Sequence, residues 1–204
     1  MKKHVISLSI VSAFLFCFSF LSCSGMEEKQ PEKNAQSTTK RPQYEITVTQ
    51  KGQELGKIVI ELFPDVAPKH VHNFDSLVSV GFYNGTAFHR VIPGFMIQGG
   101  SYYSKTDQKE KWGISDPSQT KVPAEFSNLQ HKRGTVSAAR TNDPNSATSQ
   151  FFICVADAPH LDGQYSIFGQ TVSGLDVVDK IVNAPRDNRD NPLDKIEMKI
   201  KKIK

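Results

Sequence analysis

The sequence predicts a mainly β protein, a closed antiparallel barrel accompanied by two helices. Two observations carry this: short strand-like runs recur from residue 44 to the C-terminus, and only two isolated stretches have helical spacing. A third supports it. YEITVTQ (44–50) alternates strictly between apolar and polar residues, a Lys51-Gly52 turn follows, and GKIVIEL (56–62) forms the returning arm of a hairpin. Pro64 and Pro68 end that arm. Between Pro68 and Val80 the residues Val71, Phe74, Leu77 and Val78 fall on one helical face, with Pro68 near the first turn and Gly81 closing it. Strands are expected at 87–92, 95–99, 134–140, 150–156 and 166–170. A second helix is expected from Leu175 to Asn183, on Val177, Val178, Ile181 and Val182, and a last strand over 195–203. Side chains fill a small barrel, so a binding site must lie on its outer face. The polar segment Ser101–Val122 has no clear period, and its Trp112, the only tryptophan, is expected to pack locally and pin the loop.

The first residues are built differently. Lys2 and Lys3 precede an apolar run from Val5 to Leu21, which is shorter than the roughly 20 residues a spanning helix needs. Residues 1–22 therefore read as a signal peptide. Cys23, between Leu21-Ser22 and Ser24-Gly25, resembles the acylated cysteine of bacterial lipoproteins, although Phe20 stands where leucine is usual. The expectation is a lipidated Cys23 and export to the cell envelope, anchored to a membrane; cleavage to a soluble periplasmic protein is the alternative. Two or more acyl chains anchor firmly, whereas one is marginal. Residues 24–43 hold almost no large apolar side chain and read as a flexible tether with an r.m.s. reach of roughly 25 Å.

Charged residues make up 23% and hydrophobic ones 38%, enough for a real core. The net charge is +4 and falls to +2 once Lys2 and Lys3 leave, which gives no footing for nucleic acid. Of three cysteines, Cys17 leaves with the signal and Cys23 is lipidated. Cys154 is then alone in the apolar run FFICVA and reads as a buried strand residue. No metal and no cofactor is called for: His70 and His72, two apart on a helix, face away from each other, and no nucleophile elbow accompanies the Ser, His and Asp residues.

The chemistry concentrates in FHRVIPGFMIQGG (88–100) and SQFFI (149–153). One guanidinium, Arg90, stands near Phe95, Met96 and the amide of Gln98. A second amide, Gln150, adjoins Phe151 and Phe152. A pocket with an oily wall, a lone guanidinium and amides suits an apolar group attached to a peptide bond, and proline is such a group. Together with GTAFHRVIPGFMIQGG (85–100), the stretches PAEF (123–126), GTVSAAR (134–140), SQFFI, LDG (161–163) and FGQ (168–170) resemble the signature of the cyclophilins, the peptidyl-prolyl cis–trans isomerases. The resemblance runs from about Tyr44 to the C-terminus.

That resemblance implies an eight-stranded barrel with a helix over each open end, and proline-containing polypeptides as substrates. It implies Arg90 as the catalytic residue. Phe95, Met96, Phe152 and Leu161 would form the proline pocket, with Gln98 orienting Arg90 and Gln150 gripping substrate backbone. Ala139 and Arg140 would lie beside the substrate main chain, and the ring of Tyr165 would pack on the substrate. His89, as a strand neighbour of Arg90, is expected on the opposite face. Where the family often has tryptophan and histidine, this chain has His160 and Tyr165, so weak binding of cyclosporin is expected. A monomer that assists the folding of exported proteins follows. A non-catalytic proline-peptide binding module or chaperone, and a host-interaction surface protein using the barrel as scaffold, remain alternatives.

Overall fold

The computed structural model describes residues 41–204. The expected signal, Cys23 and most of the tether lie outside the described residues. Eight strands follow in chain order: β1 (Gln43–Gln50), β2 (Gln53–Leu62), β3 (Thr86–Ile92), β4 (Met96–Gly99), β5 (Thr135–Ala138), β6 (Phe151–Cys154), β7 (Ile167–Ser173) and β8 (Ile196–Lys202). They close into an antiparallel barrel in the order β1-β2-β7-β5-β6-β4-β3-β8. Closure leaves no open sheet edge.

Alternation decides what fills the barrel. Tyr44, Ile46 and Val48 of β1 face Ile58, Ile60 and Leu62 of β2, and all six are fully buried. They merge with Phe88, Val91, Ile97, Val136, Phe151, Ile153, Phe168 and Met198 into one apolar core. The first and last strands meet: β8 pairs along β1, the Gln43 N–H bonds the Lys204 carbonyl at 3.3 Å, and the Ile203 N–H bonds the Gln43 carbonyl at 2.8 Å.

The helices α1 (Pro68–Ser79) and α2 (Leu175–Val182) pack at opposite ends of β1. Phe74 of α1 meets Tyr44 at the start of β1, with ring centroids 5.2 Å apart, and also touches Tyr83, Phe151 and Phe168. Val177 of α2 lies over Gly56, which pairs with Val48 near the other end. Gly56 has φ +141°, and a Cβ there would come within 2.5 Å of a Val177 methyl, so only glycine admits the helix at this distance.

The differences from the sequence reading are small and physical. β2 begins three residues early, because a register irregularity after Val48 lets Gln53 and Glu54 pair. The strand expected over 134–140 ends at Ala138, so Ala139 and Arg140 lie just beyond it, although the Ala139 N–H still bonds the Gln150 carbonyl. Three short 3-10 turns, Tyr102–Lys105, Lys109–Lys111 and Pro159–Leu161, were not foreseen. Trp112 is buried within its own loop, where its indole N–H donates to the Thr106 carbonyl at 2.9 Å.

Candidate active site

Outside the barrel core a second apolar cluster forms on the outer face of β4 and β6. Met96, Phe152, Cys154, Ala158 and Leu161 are buried in it, and Ile92, Phe95, Ala139 and Tyr165 pack against them. It floors a hollow of about 110 Å³. Its walls carry Arg90 on β3, Met96 and Gln98 on β4, and Phe152 on β6. Phe95, Ala139, Arg140, Leu161 and Tyr165 come from the loops and the 3-10 turn around them.

Strand register aligns the key side chains. Arg90 pairs with Gln98 and Gln98 with Phe152, a straight row across β3, β4 and β6. Met96 forms the next row between Ile92 and Cys154.

Arg90 reaches this face because β3 is bulged. Phe88 and Val91 both sit in the barrel core although they are three residues apart, which strict alternation forbids. The ladder steps from the pair Phe88–Gly99 directly to Arg90–Gln98, so His89 is the extra residue. His89 therefore does not take the opposite face expected of a strand neighbour. Its ring packs on the loop, 3.3 Å from where a Cβ of Gly113 would stand. It is buried, and neither ring nitrogen has a hydrogen-bond partner of good geometry. Burial pushes its pKa down to about 4, with the Ala87 backbone and the Gln150 side chain partly opposing.

The two amides are bonded to each other. Gln98 stands opposite Arg90, but its Nε2 donates to Gln150 Oε1 at 3.0 Å rather than serving the guanidinium. Gln150 is buried behind it and does not line the hollow. Its own Nε2 donates to the Gly113 carbonyl at 3.0 Å, because the long loop folds over this edge and leaves that carbonyl to be satisfied. The pair thus ties the hollow to the loop. Among the described residues the Arg90 guanidinium has no hydrogen-bond partner, and Arg90 is exposed.

Sequence reasoning missed His131. It is buried behind Phe152, with ring centroids 6.1 Å apart and planes 14° from parallel, and stands edge-on to Tyr165. Its Nδ1 lies 2.9 Å from Asp162 Oδ1 and its Nε2 lies 3.2 Å from Ser137 Oγ. Burial lowers its pKa, with Asp162 opposing; the His131 backbone N–H and then its ring hold Asp162 below the usual carboxylate range. No local period marks such a residue, since its partners are 6 and 31 positions away. Cys154 lies at the back of the cluster, fully buried, and burial first and nearby Asp157 and Asp162 next push its thiol up to about 12. His160, where tryptophan was noted as usual, sets its ring 5.3 Å from that of Phe95 at the rim.

A family model described as cyclophilin type peptidyl-prolyl cis-trans isomerase/CLD matches residues 44–204. A probable peptidyl-prolyl cis-trans isomerase of Brucella suis is 50% identical over 130 residues, which are 62% of this chain and 66% of that protein. The match thus spans about two thirds of the length of that curated relative. A peptidyl-prolyl cis-trans isomerase of Acinetobacter baylyi is 48% identical over 145 residues, covering 68% of this chain and 73% of its own. Among solved structures, a Cryptosporidium parvum cyclophilin type isomerase superposes with a TM-score of 0.71 at 30% identity, covering 80% of this chain and 98% of its own. With the barrel, the hollow and these matches in agreement, the chain belongs to the cyclophilin-type peptidyl-prolyl cis–trans isomerase family.

Proposed function

We propose that the domain accelerates rotation about X–Pro bonds in polypeptides, with Arg90 as the catalytic residue. The observation that carries this is a guanidinium with no carboxylate partner among the described residues, in line with a small hollow floored by apolar side chains. Amide resonance sets a barrier of ~18–20 kcal/mol, crossed in tens to hundreds of seconds without help. No bond breaks, so no nucleophile, metal or cofactor takes part. In the twisted state the imide nitrogen recovers its lone pair and accepts a hydrogen bond that neither planar isomer offers. An arginine aimed at that nitrogen therefore stabilises the transition state over both ground states.

The magnitudes divide the work. Going from about 10⁻² to about 10³ s⁻¹ needs roughly 7 kcal/mol at 1.36 per tenfold. One charge-assisted hydrogen bond contributes about 1.5–3 kcal/mol in ordinary settings. The rest comes from the water that the bound peptide displaces from the hollow and from immobilising the peptide. Phe95, Met96, Phe152 and Leu161 hold the proline ring, Ala139 and Arg140 flank the peptide main chain, and Tyr165 packs on it. The Gln98–Gln150 pair keeps the wall opposite Arg90 in place.

The test compares wild type with Arg90→Ala in a protease-coupled proline-peptide assay. Loss of about 10²-fold or more in kcat/KM is expected, the usual effect of removing one transition-state donor. Equal rates reject the mechanism.

The N-terminal sequence supports a working place at the cell envelope. Acylation at Cys23 anchors a monomeric domain to an envelope membrane, where it assists exported proteins. Mass spectrometry of the mature N-terminus decides this: acyl mass on Cys23 supports it, and a free terminus at Gly25 rejects it. With His160 in the position noted for tryptophan, inhibition by cyclosporin is weak, and a nanomolar inhibition constant refutes that.

A further inference from the structure

We propose that Arg140 makes this domain select prolines flanked by an acidic residue; the proposal rests on the isomerase reading and names the substrate class for that same hollow. The chain has six arginines, and four are ion-paired: Arg41 with Asp65 at 2.9 Å, Arg133 with Asp179 at 2.8 Å, Arg186 with Asp190 at 3.3 Å and Arg189 with Asp187 at 3.9 Å. The two without a carboxylate partner among the described residues, Arg90 and Arg140, are the two that line the hollow. No acidic side chain lines it, so every charge on its walls is positive. Such a cleft attracts and holds anionic groups.

Arg90 is committed to the reacting imide, whereas Arg140 is held at the rim with its charge unspent. Its guanidinium lies over the Tyr165 ring at 4.3 Å. Nε and Nη2 donate to the Gln164 carbonyl at 3.2 and 2.9 Å, and Nη1 donates to the Thr141 carbonyl at 2.9 Å. Those partners fix its orientation but are neutral. Three of its five N–H groups are used, which leaves two donors and a whole positive charge for a ligand. A fork already held in place loses little entropy on gripping a carboxylate. A peptide with its proline in the hollow carries the neighbouring residues only 3.8 Å away per Cα step, so the carboxylate read at the rim belongs to a residue flanking the proline.

The test uses proline peptides with Glu, Gln or Lys placed on either side of the proline. Affinity comes from NMR titration, and the exchange rate between isomers from the same spectra. Wild type is expected to bind the Glu peptide about tenfold more tightly than the Lys peptide on at least one side, with the ratio shrinking at about 0.5 M salt. Arg140→Gln brings the ratio to about twofold or less, and Arg140→Glu inverts it. A wild type indifferent to the flanking charge, or a ratio that survives both substitutions, overturns the proposal. Because the ratio is read from binding, it stands apart from the isomerase reading, whose failure would appear as exchange no faster than in free peptide, whatever the flanking residue.

Discussion

Position 90 must satisfy two demands at once: a permanent positive charge, and a flat fork whose N–H groups point along the hollow. Lysine meets only the first. Arg90→Lys is therefore expected to lose about 10²-fold in kcat/KM, close to Arg90→Ala, with little change in melting temperature because the side chain is exposed. His89, the adjacent residue, is buried and its pKa is depressed to about 4. Between about pH 6.5 and 4 the unfolded chain binds a proton on this imidazole that the folded chain refuses, so its contribution to stability is full above 6.5 and falls as the solution is acidified. His70 and His131, both also lowered chiefly by burial, act in the same direction. Replacing His89 with Gln is expected to flatten the loss of stability between pH 6.5 and 4 by up to about 3 kcal/mol, at 1.36 per unit. Urea unfolding of both proteins at the two pH values measures it, and parallel curves reject the assignment.

At the scale of elements, the α2–β2 contact is the most sharply constrained junction. Gly56→Ala forces an alanine to φ +141° and drives its methyl into Val177. Backbone strain and overpacking together are expected to remove roughly 2–4 kcal/mol, read as a lower urea midpoint. The strands themselves were legible because apolar and polar residues alternate along β1, β2 and β8, and both helices because Phe74 and Ile181 recur with neighbours at helical spacing. The bulge was not foreseen by assuming regular alternation, yet FHRV carries its mark: two polar residues between two that both face the core. The 3-10 turns were too short to impose a period. Nine of the ten residues singled out around the hollow do meet there: strand register aligns Arg90, Met96, Gln98 and Phe152, and the adjoining loops and 3-10 turn bring the other five. Gln150 could not be placed from sequence, since its partner is the Gly113 carbonyl, 37 residues away on an irregular loop. His131 escaped for the same reason.

As a whole molecule, the barrel closes with strands drawn only from residues 43–202, and both helices dock within that span. A protein trimmed to residues 41–204 is accordingly expected to melt as one transition and to keep its kcat/KM within about twofold of the full chain. A larger loss would give the N-terminal residues a part in the fold or the site. Because β1 lies directly against β8, with Gln43 bonded to both Ile203 and Lys204, the first and last strands are neighbours like any others in the ring. Where the polypeptide starts is thus an accident of connectivity. A short bridge from Lys204 to Pro42 would turn the ring into an endless chain, free to be opened at a remote surface turn, with the guanidinium, the amides and the oily floor still delivered to the same place.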